Sequence, residues 1–184
     1  MKIAYRASRI WLCVGLLFVT LAACKSNSAI KEVEKLYAQF MDSDIVISPN
    51  LVYGGAKSGI SRADVLKSEY QLIVYHSEDN CTDCSLRALL QWQNYMKELP
   101  KGVLVILIFR SQDYQSIERN LKMYNIEYPY FIDMDGRFES DNPSMPPQLP
   151  FHTFMLKHGK VWLIGSPVEN EKVRRVYEKA LKAI

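Results

Sequence analysis

Gln71-Leu72-Ile73-Val74-Tyr75-His76, followed five residues later by Cys81-Thr82-Asp83-Cys84, is the stretch that decides the fold. The first run is apolar and β-branched, which predicts a buried strand over 71–76. Beyond the cysteines, Leu86, Leu89, Leu90, Met96 and Leu99 recur at helical spacing and predict an amphipathic helix over about 82–98. A Cys-x-x-Cys set between a strand and the start of a helix suits thiol–disulfide exchange. Unpaired N–H groups and the helix dipole favour negative charge there, which lowers a thiol pKa. Cys81, the first of the pair, is the expected nucleophile. Cys84, one helical turn further in, is the expected resolving thiol.

Working outward, the alternation of strands and helices continues to the C-terminus. Val103 to Phe109 is a continuous apolar run that predicts a second strand. Tyr114, Ile117, Leu121 and Tyr124 mark the face of a helix, and a strand follows at about Pro129 to Asp133. An Asp135-Gly136 turn and a proline-rich loop, Asn142 to Pro150, lead to a strand over Phe151 to Leu156. His158-Gly159 turns the chain into Val161 to Ile164. A last helix begins at an Asn170 cap and places Val173, Val176, Tyr177, Ala180 and Ile184 on one side. The order predicts an α/β domain over 70–184, with a central mixed sheet, right-handed crossovers and a final antiparallel hairpin. Upstream, residues 29–69 predict a helix carrying Ile30, Val33, Leu36, Tyr37 and Phe40. Two short apolar runs, Ile45 to Ile47 and Leu51 to Tyr53, then predict a small hairpin or an edge strand.

The first 23 residues read as an export signal: Lys2, Arg6 and Arg9, then the apolar stretch Ile10 to Thr20. Leu21-Ala22-Ala23-Cys24 matches the bacterial lipobox, so Cys24 is the expected lipid-attachment residue and 24–28 a tether. Acyl chains on Cys24 would make the membrane a partner. Lys25, where an inner-membrane retention signal would resemble Asp, favours the outer membrane. The signal accounts for the formal charge of +3: removing its three basic residues from 23 leaves 20, against 20 Asp and Glu. A near-neutral mature chain gives no footprint for nucleic acid. Only Cys81 and Cys84 remain as thiols, and outside the cytoplasm such a pair is either a working redox couple or a permanent disulfide.

The strand–motif–helix order, together with Phe151-His152-Thr153-Phe154-Met155-Leu156, Gly159-Lys160-Val161 and Gly165-Ser166-Pro167, resembles the thioredoxin-like envelope lipoproteins of Gram-negative bacteria. The resemblance spans about residues 70–184. It implies a three-layer α/β sandwich and disulfide exchange with other envelope proteins, with no cofactor. It also implies a substrate-facing loop of Pro150, Phe151 and His152, because the family sets a cis-proline opposite the cysteines three residues before a Phe. Here that count reaches Phe151, and Pro150 lies one residue earlier. Either Pro150 supplies the cis bond after a shift, or Phe151 and His152 occupy the position.

Other departures bear on the chemistry. Thr82-Asp83 replaces the Gly-Pro or Pro-Pro of many relatives, and Glu78, Asp79 and Asp83 surround the pair with charge that opposes a thiolate. The strand lacks the family's buried carboxylate, leaving His76 as a stand-in. A Zn²⁺ site of Cys81, Cys84 and His152 or His76 is a minor alternative, and no metal is expected. Asp133-Met134-Asp135-Gly136 is read as a turn rather than a calcium loop, and Tyr124, Tyr128, Tyr130 and Phe131 as packing rather than a sugar-binding surface. No phosphate-binding loop, Gly-x-Ser-x-Gly or His-Glu-x-x-His is present. Two functions remain: an envelope thiol–disulfide oxidoreductase, or a non-catalytic binding module stapled by a Cys81–Cys84 disulfide. Neither the redox direction nor the oligomeric state is legible.

Overall fold

The apolar run Leu72 to Tyr75 becomes the centre of a six-stranded mixed sheet. The computed structural model describes residues 30–55, 59–77, 82–148, 152–182 and 184, the side chains of 82–89 excepted. Cys24, Cys81, Pro150 and Phe151, and the side chain of Cys84, lie outside the described residues. The chain divides into two compact units, Met1–Gln39 and Phe40–Ile184. In the first, the described residues belong to a helix, α1 (residues 30–40), on which Ile30, Val33 and Tyr37 are exposed.

The second unit holds β1 (Val52–Gly54), α2 (Arg62–Lys67), β2 (Tyr70–His76), α3 (Thr82–Glu98), β3 (Val103–Arg110) and α4 (Tyr114–Met123). It continues with β4 (Tyr130–Asp133), α5 (Arg137–Asp141), β5 (Thr153–Lys157), β6 (Lys160–Ile164) and α6 (Glu171–Leu181). The sheet order is β1-β4-β3-β2-β5-β6. β2, β3 and β4 are parallel, while β1 pairs antiparallel with β4, and β5 antiparallel with β2 and β6. β2 has neighbours on both sides, with Val74 opposite Leu107 on one flank and Thr153 on the other.

Alternation along these strands sends apolar groups to two faces, and both are covered. Leu72, Val74, Leu107, Phe109, Ile132 and Met155 pack in one cluster with Trp92, Tyr95 and Met96 of α3, Ile117 and Leu121 of α4, and Tyr177 and Leu181 of α6. On α3 the core face is thus Trp92, Tyr95 and Met96, and the expected Leu90 is exposed. On α6 the core-facing set is Val173, Tyr177, Ala180 and Leu181, while the expected Val176 and Ile184 are exposed. Spacing of four, then three and four, keeps that set on one stripe, and Val176 sits at its edge, exposed to solvent. Tyr114, expected on the buried face of α4, is likewise exposed, because it occupies the first turn ahead of Ile117. Asn170 caps α6 as expected, accepting from the backbone N–H groups of Lys172 and Val173.

The other face is closed largely by irregular chain. Phe40 meets Phe154 edge to face at 5.1 Å, Tyr53 packs on Phe131, and Phe138 of α5 packs on Tyr75. Residues 42–45 bond along the free edge of β6, through Asp42 N–H to Val161 O and Ile45 N–H to Gly159 O, whereas β1 flanks β4 at the opposite edge. The two short apolar runs therefore do not pair as a hairpin. The chain between them needs polar support, and two side chains supply it. Arg62 donates to Ser48 O and Leu51 O, both at 2.8 Å, and lies over the Phe131 ring. Asn142, buried, accepts from Val46 N–H (2.8 Å) and donates to Val46 O (2.9 Å) and Phe138 O (2.7 Å).

Every functional group of the Asn142 amide is engaged, so its replacement should be severe in a specific way. Asn142→Ala strands one N–H and two carbonyls and is expected to cost about 3 kcal/mol in urea unfolding. Asn142→Asp, nearly isosteric, should cost as much at neutral pH, because a carboxylate would face two carbonyl oxygens. Wild-type stability in the Asp variant would refute this account of the contact.

Candidate functional site

β2, β3 and β4 run parallel and end together, at His76, Arg110 and Asp133. In α/β sheets the carboxyl ends of such strands form the usual binding crevice. β5 runs the other way, so its first residues reach the same end: Tyr75 N–H donates to His152 O at 2.8 Å, one residue before Thr153 pairs with Val74. α3 starts at Thr82, so Cys84 is its third residue, and Cys81 directly precedes it in sequence. The helix expected after the motif is therefore present, with its first turn following the end of β2. Of the expected substrate-facing loop, His152 alone is described.

His76 stacks on Phe109, its register partner on β3, with ring centroids 4.9 Å apart and planes 9° from parallel. Its Nε2 is buried, with no hydrogen-bond partner among the described residues. Burial, reinforced by His152, lowers its pKa from the ordinary 6.5 to about 4. His152 is 5% exposed and meets the Tyr75 ring edge to face at 5.2 Å. Neither of its ring nitrogens makes a well-formed hydrogen bond among the described residues. Burial holds its pKa down, with the Glu139 charge and the Pro147 backbone pulling partly the other way. Both imidazoles are neutral at neutral pH and can accept a proton.

Sequence reasoning found no buried carboxylate on this strand itself, but the fold brings one to its end. The Tyr75 hydroxyl donates to Glu139 Oε1 at 2.9 Å, and Arg110 Nη1 pairs with Oε2 at 2.7 Å. Burial, and then the Glu139 carboxylate, push the Tyr75 phenol well above its usual range, so it serves as a donor. Glu139 comes from α5, which the sequence presented as part of a turn and loop. That helix forms because buried Asp133 accepts from the N–H groups of Arg137 and Phe138, both at 2.8 Å, after Gly136 turns with φ +70°. The Asp133–Gly136 segment is thus a turn capping a short helix. The aspartate before the glycine is the one local signal that could have indicated it. Among the described residues no group of three His, Cys, Asp or Glu is placed to hold a metal ion.

The buried histidines set a pH dependence. The unfolded chain protonates His76 near 6.5 and the folded chain only near 4, so the unfolded state binds more protons between those values. The stability from this site is complete above about 6.5 and falls as pH drops toward 4, by up to about 3 kcal/mol. His152 acts in the same direction. Urea midpoints from pH 7 to pH 4 should fall more steeply for the wild type than for His76→Asn, and parallel curves would refute the assignment.

No family model matches this sequence, and no curated protein matches it significantly. Solved structures match it in fold. The C-terminal domain of a protein assigned as a thiol-disulfide oxidoreductase from Bacteroides thetaiotaomicron is 16% identical, with a TM-score of 0.53 over 78% of this chain and 97% of that one. A thioredoxin-like superfamily protein is 15% identical, with a TM-score of 0.51 over 77% and 96%. A protein assigned as thiol:disulfide interchange protein DsbE from Chlorobium tepidum is 16% identical, with a TM-score of 0.50 over 76% and 98%. Identities this low speak for the fold alone, and that fold is thioredoxin-like.

Proposed function

We propose that this thioredoxin-like domain is a thiol–disulfide oxidoreductase of the bacterial envelope, working through Cys81 and Cys84 and tethered by lipid on Cys24. The observation that supports the proposal is the position of Cys81-Thr82-Asp83-Cys84 in the sequence, after the strand that ends at His76 and at the start of α3, on a thioredoxin-like fold. In the reducing direction, the Cys81 thiolate attacks one sulfur of a substrate disulfide and expels the other as a thiolate. Cys84 loses its proton to a base and attacks Cys81, releasing the second substrate thiolate. The substrate disulfide gains two electrons and becomes two thiols, while the Cys81–Cys84 dithiol becomes a disulfide. A second dithiol protein restores the pair, and the reverse sequence oxidises substrates.

The anchored, periplasm-facing placement rests on the Lys2-to-Cys24 segment; no helix among the described residues is long and apolar enough to cross a membrane. The proposed partners are envelope proteins carrying thiols or disulfides. The carboxylates of Glu78, Asp79 and Asp83 favour a second reading, in which Cys81–Cys84 is a permanent staple on a binding module.

The reduction potential separates the two. In graded thiol–disulfide buffers the Cys81–Cys84 couple is expected between about −120 and −270 mV, and Cys84→Ala should accumulate mixed disulfides with envelope proteins on Cys81. A midpoint below about −300 mV, with no trapped species, would establish the staple instead.

A further inference from the structure

A cavity of about 360 Å³ opens at the far end of the sheet from His76, between β1, the start of β4, α4 and the turn that follows it. Its walls include three tyrosines, Tyr53, Tyr128 and Tyr130, and two carboxylates, Glu118 and Glu127. Tyr130 is fixed in place from two sides. Its ring lies against Gly54, where an added Cβ would sit 2.0 Å from the ring's Cζ, and its hydroxyl donates to Glu118 Oε1 at 3.2 Å. Burial raises the phenol pKa of Tyr128 and takes that of Tyr130 to about 12, so both rings stay neutral. Tyr53 is pinned as well, by its ring on Phe131 and its hydroxyl on Ile60 O.

Neither Glu118 nor Glu127 has an ion-pair partner among the described residues, although Lys122 lies one turn along α4 from Glu118 and also lines the cavity. Tyrosine rings and carboxylates without an ion-pair partner among the described residues, set around a half-enclosed space, attract a cation that also has apolar bulk. Inorganic ions lack that bulk, and anions are repelled.

We propose that this cavity binds an organic ammonium group, from a small alkylated amine or from a lysine side chain, between the tyrosine faces and the Glu118 and Glu127 carboxylates. The site is separate from the cysteine chemistry, and replacing Cys81 and Cys84 leaves it unchanged. Lys122 is the internal competitor, whose ammonium repels the guest and tempers affinity.

The test titrates the full-length chain with choline, its uncharged isostere 3,3-dimethylbutanol, and Nα-acetyl-lysine methylamide, following tyrosine ring resonances by NMR. Choline or the lysine amide should bind at least about tenfold more tightly than dimethylbutanol, and whichever is tighter identifies the source of the ammonium. Glu118→Gln, isosteric and surface-directed, should weaken binding several-fold, Tyr128→Ala similarly, and Lys122→Met should strengthen it. Equal affinity for choline and dimethylbutanol would reduce the site to an apolar dent. No shift with any ligand would leave it empty; each of these outcomes overturns the proposal.

Discussion

Burial of β2 on both faces is the constraint from which the rest follows. Leu72, Ile73, Val74 and Tyr75 are each at most 3% exposed, and strands lie on either side. A strand so enclosed forces a three-layer arrangement, since each face must be roofed by apolar groups. The parallel crossovers roof one face with α3 and α4, joined by α6. Among the described residues only short helices and irregular chain are left for the other face. It is closed by Phe40, by the stretch from Ser43 to Tyr53 and by the short helices α2 and α5. Irregular backbone laid on an apolar sheet carries polar groups that must be satisfied there. Hence Arg62 and Asn142, side chains that look incidental in the sequence, bind backbone at Ser48, Leu51 and Val46.

With both faces closed, chemistry is confined to the ends of the strands. The carboxyl ends of β2 and β3 and the start of β5 crowd His76, Arg110 and His152 together, and burial there excludes charge unless it is matched. The two histidines meet this condition by staying neutral. Glu139 meets it by bonding with Arg110 and Tyr75, and Asp133 by accepting two backbone N–H groups. The strand end thus holds two neutral imidazoles and a compensated carboxylate.

What could be read in advance tracks how local its cause is. β2, α3, β3 and the β5–β6 hairpin were legible because continuous apolar runs and a 3.6-residue period state their own burial. Asn170 was legible as a cap because the cap is a contact within three residues. By contrast, Glu139 meets Tyr75 across 64 positions, and no pattern near either residue announces it. α5 was missed because five residues give no period, and its start depends on Asp133. Leu90 and Val176 were misassigned because apolar character was counted without asking which stripe the tertiary contacts would use. Leu51 to Tyr53 held too little sequence to choose between a hairpin with Ile45 to Ile47 and an edge beside β4, and pairing with Phe131 and Ile132 made the choice.

The two ends of the sheet differ in how they treat acid groups, and the difference argues for separate roles. At the carboxyl end, Glu139 and Asp133 are both answered by protein donors. At the amino end of β4, Glu118 receives one phenol hydrogen bond, and neither it nor Glu127 meets a cation among the described residues. A phenol donor stabilises a carboxylate less than a guanidinium does, because it brings no net charge. At one end the described carboxylates, Glu139 and Asp133, are matched by donors of the protein. The other keeps uncompensated negative charge against aromatic walls, an arrangement whose electrostatics are completed by a positively charged guest.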